Sequence, residues 1–275
     1  MRPIRVALSG SGTKISAHIG ALWAIIDAGY TIVEIAGTSG GSICAALFAC
    51  GMSIEEIYRL AMDMDFAPLM AMSPWSIMTG RGYCSGENLL RFLDEQTQGK
   101  RFSDLAVHLT IVSSDVSNER PHLFSNEFTP GTLVALASRA SASIPVVFAP
   151  VLIGDAVLMD GGIVSNLPVD LLKVDAAPRI GIELTAQCSP FAPGRHGLNK
   201  VVPHLIDLMI QSTEDAHISI GKLHGASVAR VETGFASSLD RKMPVEIRQR
   251  LFDNGYASTR AALKGINLAR RSVRA

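Results

Sequence analysis

A chain of 275 residues that is 48% hydrophobic and only 18% charged is long enough to bury a substantial core and too apolar to be a disordered tail. Its 25 basic and 25 acidic side chains cancel to a formal net charge of zero. That balance counts against nucleic acid as a partner, because binders of that class carry a basic excess.

In chain order, residues 4–9 read as a buried first strand that ends in Gly10, Ser11, Gly12, Thr13 and Lys14. Ile15, Ile19, Leu22, Trp23 and Ile26 then recur at helical spacing, which predicts a helix over 15–28 stopped by Gly29. The loop between them is not a P-loop, since Thr13 rather than glycine precedes Lys14 and Ile15 follows it. Nor is it a dinucleotide fingerprint, because Ile15 takes the place of the last glycine. What remains is a run of free backbone N–H groups at a helix N-terminus, which suits any anion, a reaction oxyanion included.

A second unit repeats the pattern. A short apolar strand over 32–36 runs into Gly37-Thr38-Ser39-Gly40-Gly41 and then into a small-residue helix over 42–50. A serine on a tight strand-to-helix turn has its hydroxyl pushed out above the sheet edge, and the helix behind it aims N–H groups at the space beside that oxygen. G-x-S-x-G alone is as often an idle loop as a nucleophile elbow, so other residues must decide.

Ser53 caps a short helix with Glu55 and Glu56 in its first turn. Residues 62–82 carry Met62, Met64, Met70, Met72 and Met78 with Trp75, a composition that serves either a core filled by flexible thioethers, the commoner case, or a lipid-facing lid. A helix opens at Ser85 or Gly86. Strands are expected over 107–113 and 122–125, a helix over 132–141, and short strands over 151–153 and 157–159. The last of these delivers Asp160, with Gly161 and Gly162 behind it. A strand over 179–184 and a surface loop over 186–199 follow, and the chain from about 201 onward reads as mostly helical. Its end carries Arg260, Lys264, Arg270, Arg271 and Arg274, a solvated face in most proteins and a peripheral contact with anionic lipid heads in some. No internal repeat or low-complexity linker divides the chain, so a single domain over 1–275 is expected.

Cys44, Cys50, Cys84 and Cys188 show no paired spacing and read as free thiols of a reducing compartment. None of the seven histidines has metal-ligand spacing, so neither a metal nor another cofactor is expected. The apolar run after Arg2 and Arg5 ends at Gly10, too short for a signal peptide, and no window holds 18 uninterrupted apolar residues. A cytoplasmic location is the expectation.

Four separated segments, spread over residues 4–185, together resemble the patatin-like phospholipases. They are the loop from Leu8 to Lys14 with His18 and Gly20 behind it; Gly37 to Gly41; Arg139 to Pro145 with Phe148 and Pro150; and Asp160-Gly161-Gly162 with Asn166 and Pro168. The resemblance implies a three-layer α/β fold, a mainly parallel sheet flanked by helices, and a hydrolase of lipid or phospholipid esters. It further implies Ser39 as nucleophile, Asp160 as its partner, and an oxyanion hole from the backbone of Gly10, Ser11, Gly12 and Gly40. Lys14, Gly37, Gly41, Gly161 and Gly162 would support them. The family loop usually has glycine where Ser11 and Ile15 stand here; if the second position requires positive φ, Ile15 restricts it.

A Ser-Asp pair has no histidine, and a carboxylate of ordinary pKa near 3.9 is a weak base, so Asp160 must be partly desolvated to accept the serine proton. His18, inside the first helix, reads as a brace for the loop rather than as a base. An acyltransferase or thioesterase on the same pair, or a lipid-binding protein without catalysis, are the competing readings.

Overall fold

The computed structural model describes residues 2–185 and 217–272, together with positions 194, 197, 201, 204 and 208. The strands are β1 (Arg2–Leu8), β2 (Tyr30–Thr38), β3 (His108–Asp115), β4 (Arg120–Ser125), β5 (Val151–Ile153), β6 (Ala156–Asp160), β7 (Arg179–Thr185) and β8 (Ser227–Glu232). The helices are α1 (Ile15–Asp27), α2 (Gly40–Ala49), α3 (Ile54–Asp63), α4 (Phe66–Leu69), α5 (Pro74–Met78), α6 (Glu87–Thr97), α7 (Val134–Ser141) and α8 (Val245–Ser272). The strands form one sheet in the order β5-β6-β3-β2-β1-β7-β8, with β4 paired to β3. From β3 through β8 the pairing is parallel, and β4, β5 and β6 add an antiparallel flank.

Parallel strands covered by helices on both faces tend to read as apolar runs; β1 does so over Val6–Leu8, whereas β7 is interrupted by the buried Glu183. Alternation sorts their side chains. Val6, Leu8 and Ile35 join the large cluster beneath α1, α2, α6 and α8, whereas Ala7 and Ala36 face a smaller cluster with Leu167, Val169 and Ile218. This second cluster comes from a 3-10 turn at Val169–Leu171 and the helical residues 217–223, which form the third layer.

Expected element boundaries agree with these to within a few residues, and Ser53 makes a full capping box with Glu56. Among the described residues beyond 201, a helix over 217–223 and α8 are joined by β8, which extends the sheet beside β7, and a loop over 233–244 returns to the loop that follows β1. In sequence, β8 alternates Val228, Arg230 and Glu232 with smaller residues, a weak edge-strand pattern easily lost among neighbouring helical segments. The expected loop over 186–199, with Cys188, lies outside the described residues apart from positions 194 and 197.

Candidate active site

Strand register places the site. Leu8 lies beside Gly37, so the loop leaving β1 and the turn leaving β2 emerge side by side at the C-terminal edge of the parallel strands. Strand β3 is flanked by β2 along 108–112 and by β4 along 110–115, which puts those two on opposite edges. Strand β6 pairs with 113–115, where β4 already holds one edge, so it takes over the edge that β2 has just left. Thr38 pairs with Val112 and Asp160 with Ser113, and the end of β6 therefore abuts the end of β2. Two strands ending against each other bring together residues 121 positions apart.

Ser39 sits at φ 52° and ψ −126°, a conformation that costs a non-glycine residue about 1–3 kcal/mol and persists only where its surroundings impose it. Its N–H donates to Ser141 Oγ at 2.8 Å, and its carbonyl accepts from the Ser42 N–H at 2.9 Å and from Ser42 Oγ at 2.6 Å. Its own hydroxyl donates to Asp160 Oδ2 at 2.6 Å. Gly41, the second residue of α2, allows the helix to lie directly on the end of β1, where a side chain would run into the carbonyls of Leu8 and Ser9. Gly37 lies against Gly41 in the same contact.

Asp160 is 4% exposed and is held on three sides. Oδ1 accepts from the Gly162 N–H at 2.8 Å, the backbone N–H donates to the Ser143 carbonyl at 3.0 Å, and the backbone carbonyl accepts from Ser114 Oγ at 2.7 Å. Gly161 lies against the Val112 carbonyl beneath. Loss of hydration pushes the carboxyl from the ordinary 3.8 up to about 6, against the opposing pull of the hydrogen bonds from Ser39 and Gly162.

The glycine loop packs on the first turn of α2. Gly12, at φ +55°, fits so closely beneath the Ser238 carbonyl that no side chain has room there. Among the described residues, the N–H groups of Ser11, Gly12 and Gly40 make no hydrogen bond, whereas that of Gly10 donates to both the carbonyl and Oδ1 of Asn166, each at 3.1 Å. Gly10 is thus committed elsewhere, and the free donors next to Ser39 narrow to the other three. Lys14 is buried and donates to Thr233 Oγ1 at 3.1 Å, tying the loop to the end of β8. Ile15 opens α1 outside the left-handed region, so its position does not require glycine.

His18 lies behind the loop with Nε2 2.8 Å from the Ser9 carbonyl, and burial lowers its pKa to about 4, which keeps it neutral. His217 bonds Asp170 and the Val164 carbonyl, each at 3.0 Å. Among the described residues no histidine is hydrogen-bonded to Ser39. Nor is any cluster of three metal-ligating side chains found among them.

A narrow, partly open cavity lies beside Ser39, Gly12 and Gly40. Its walls are almost wholly apolar: Ile43 from α2, Phe66, Leu69 and Met70 around α4, Leu89 from α6, and Phe148. The methionine-rich segment is divided, with Met64 and Met70 buried and Met72 and Met78 exposed. Ser238 and Leu239, from the C-terminal third, also line the cavity. No motif in the sequence marks them.

Arg139 opens one of the segments that carry the resemblance, with no role of its own expected. Among the described residues its buried guanidinium faces no carboxylate; it donates to the carbonyls of Ser85, Gly86 and Ala149 and to Ser143 Oγ, and lies over the Phe148 ring at 5.1 Å. It thereby fixes the turn whose Ser143 carbonyl receives the Asp160 N–H.

A family model described as patatin-like phospholipase matches residues 6–173, more than half of the chain and all the segments just described except the C-terminal wall. The chain belongs to the patatin-like phospholipase family. Membership supports a lipid-hydrolase function. An uncharacterised protein of Acanthamoeba polyphaga mimivirus is 30% identical, the match covering 93% of this chain and 92% of that one. An uncharacterised NTE family protein of Mycobacterium bovis is 29% identical over 76% of this chain and 56% of its own length. The crystal structure of VipD from Legionella pneumophila superposes with a TM-score of 0.64 at 17% identity, covering 95% of this chain and 67% of VipD, and shares the patatin-like fold.

Proposed function

We propose that this patatin-like chain hydrolyses carboxylic esters of lipids through a Ser39-Asp160 dyad and an acyl-enzyme. The observation that carries the reading is the 2.6 Å hydrogen bond from Ser39 Oγ to a buried carboxylate whose pKa burial raises to about 6. A base in that range is ionised at neutral pH and still basic enough to take a proton from a hydroxyl under attack.

In this scheme Ser39 Oγ attacks the ester carbonyl as its proton passes to Asp160 Oδ2. The tetrahedral oxyanion lies against the N–H groups of Gly12 and Gly40, with that of Ser11 behind them and the N-terminal end of α2 adding its positive dipole. Collapse breaks the ester C–O bond, Asp160 returns the proton to the departing alcohol, and the acyl group stays on Ser39. Water then attacks the acyl-enzyme with Asp160 again taking and returning a proton. The apolar cavity receives the acyl chain, which favours a fatty ester over a polar one. Contact with a lipid surface during turnover belongs to the same reading. The contact is read as peripheral; among the described residues no helix is long and apolar enough to cross a membrane.

The test is hydrolysis of a p-nitrophenyl acyl ester and of phospholipid micelles by wild type, Ser39→Ala and Asp160→Asn in parallel. Both variants are expected to lose at least about 10²-fold on either substrate. Turnover by Ser39→Ala equal to wild type would remove Ser39 as nucleophile.

A further inference from the structure

We infer that the outer side of the acyl cavity's wall, centred on Trp75, Met78 and Val146, is a surface that inserts into the apolar layer of a phospholipid membrane. The inference rests on the lipid-hydrolase reading and adds to it where the protein meets its substrate.

Both walls of the cavity are apolar on two sides. Phe66 and Met70 face inward, while Met72, Trp75 and Met78, a few residues further on, are 62%, 68% and 70% exposed. Trp75 and Met78 are three apart on α5 and share a face. Opposite them, the loop after α7 turns Ile144 and Phe148 into the cavity and leaves Val146 47% exposed. The two walls are joined, since the Tyr83 and Cys84 N–H groups donate to the carbonyls of Val146 and Val147. Inward residues serve the cavity; among the described residues the outward ones remain exposed.

Val146 strengthens the argument. At φ 70° it is a β-branched residue in the left-handed region, a strained conformation that glycine or asparagine would take at little cost. Strain retained at an exposed apolar side chain signals a role outside the fold.

Charge decides the kind of partner. Residues 66–86 hold one charged side chain, Arg81, and residues 140–154 hold none, so these two stretches carry no carboxylate, and the charges nearest the cavity on its remaining side are Asp240 and Arg241, next to Leu239. Trp75 and Tyr83 flanking a lone arginine are the combination favoured at a membrane interface, where aromatic rings sit at headgroup depth and the cation reaches phosphate. A lipid seated there has its acyl chain next to the mouth of the cavity that leads to Ser39.

The test uses the full chain carrying Ser39→Ala, which cannot turn over lipid, mixed with phosphatidylcholine vesicles and read by co-sedimentation and by Trp75 fluorescence. Partition onto the zwitterionic vesicles, a blue shift of Trp75, and at least about tenfold weaker partition after Trp75→Ser with Met78→Ser are expected. Val146→Asn guards against misfolding: it should weaken partition while raising thermal stability. In the active background the same substitutions should leave hydrolysis of p-nitrophenyl butyrate unchanged, because none of the three residues lines the cavity. Absence of partition, or equal partition by all variants, overturns the inference, as does a dimer in solution that the substitutions dissolve. Wild type that hydrolyses the soluble ester yet ignores vesicles refutes this surface alone, whereas vesicle binding by a protein inactive on every ester refutes the hydrolase reading alone.

Discussion

Replacing Asp160 by asparagine should inactivate the protein and stabilise it at neutral pH. The carboxyl is 4% exposed, and burial raises its pKa from 3.8 to about 6. Below 3.8 the group is protonated whether the chain is folded or unfolded, so ionisation costs the fold nothing. Between 3.8 and about 6 the folded protein keeps a proton that the unfolded chain releases, and stability falls as pH rises. Above that window both states are ionised and the full cost is present, about 3 kcal/mol at roughly 1.4 kcal/mol per pH unit. Asparagine is neutral throughout and still offers an oxygen to Ser39 and to the Gly162 N–H. Its advantage over wild type should therefore grow across the window and level off above it. For a urea dependence of about 3 kcal/mol per molar, the plateau corresponds to a midpoint about 1 M higher. The assay is urea unfolding of both proteins at a series of pH values. A difference that is independent of pH, or that shrinks as pH rises, would refute the reasoning.

The same raised pKa sets the rate profile: kcat/KM should climb as pH passes about 6 and then flatten, because the base works only when ionised; a profile flat down to pH 4 would contradict it. Ser141→Ala leaves the Ser39 N–H and the Val112 carbonyl without their buried partner, so unfolding should become easier by about 1–3 kcal/mol. Because that partner holds the strained backbone of the nucleophile, kcat should fall in the same protein with little change in KM, as steady-state kinetics will show. Gly12→Ala meets both a φ of +55° and the Ser238 carbonyl; calorimetry should record at least about 1–2 kcal/mol of lost stability, with activity reduced as the loop shifts.

The fold class, and the expectation that Ser39 and Asp160 belong together, came from the resemblance carried by four separated segments rather than from either motif alone. Glycines flank Ser39 where α2 crowds the end of β1, and Asp160 leads into glycines that pack on β3. Two features were not legible. The commitment of Gly10 to Asn166 is a contact between residues 156 apart, and nothing in a glycine's neighbours announces which N–H stays free. The C-terminal wall of Ser238 and Leu239, the anchor Thr233 for Lys14, and β8 itself belong to a region without glycine-rich motifs, whose role arises only when the chain returns to the loop after β1. Arg139 falls between these cases. A buried arginine with no acidic partner looks in sequence like any surface arginine, and its role becomes visible only through the carbonyls that converge on it.

The most direct measurement is covalent trapping with a fluorophosphonate, followed by mass spectrometry of the labelled peptide. The account predicts one adduct, on Ser39, absent from Ser39→Ala and formed at least about 10²-fold more slowly in Asp160→Asn. Labelling of wild type at another residue, or at an unchanged rate in Asp160→Asn, would contradict the dyad.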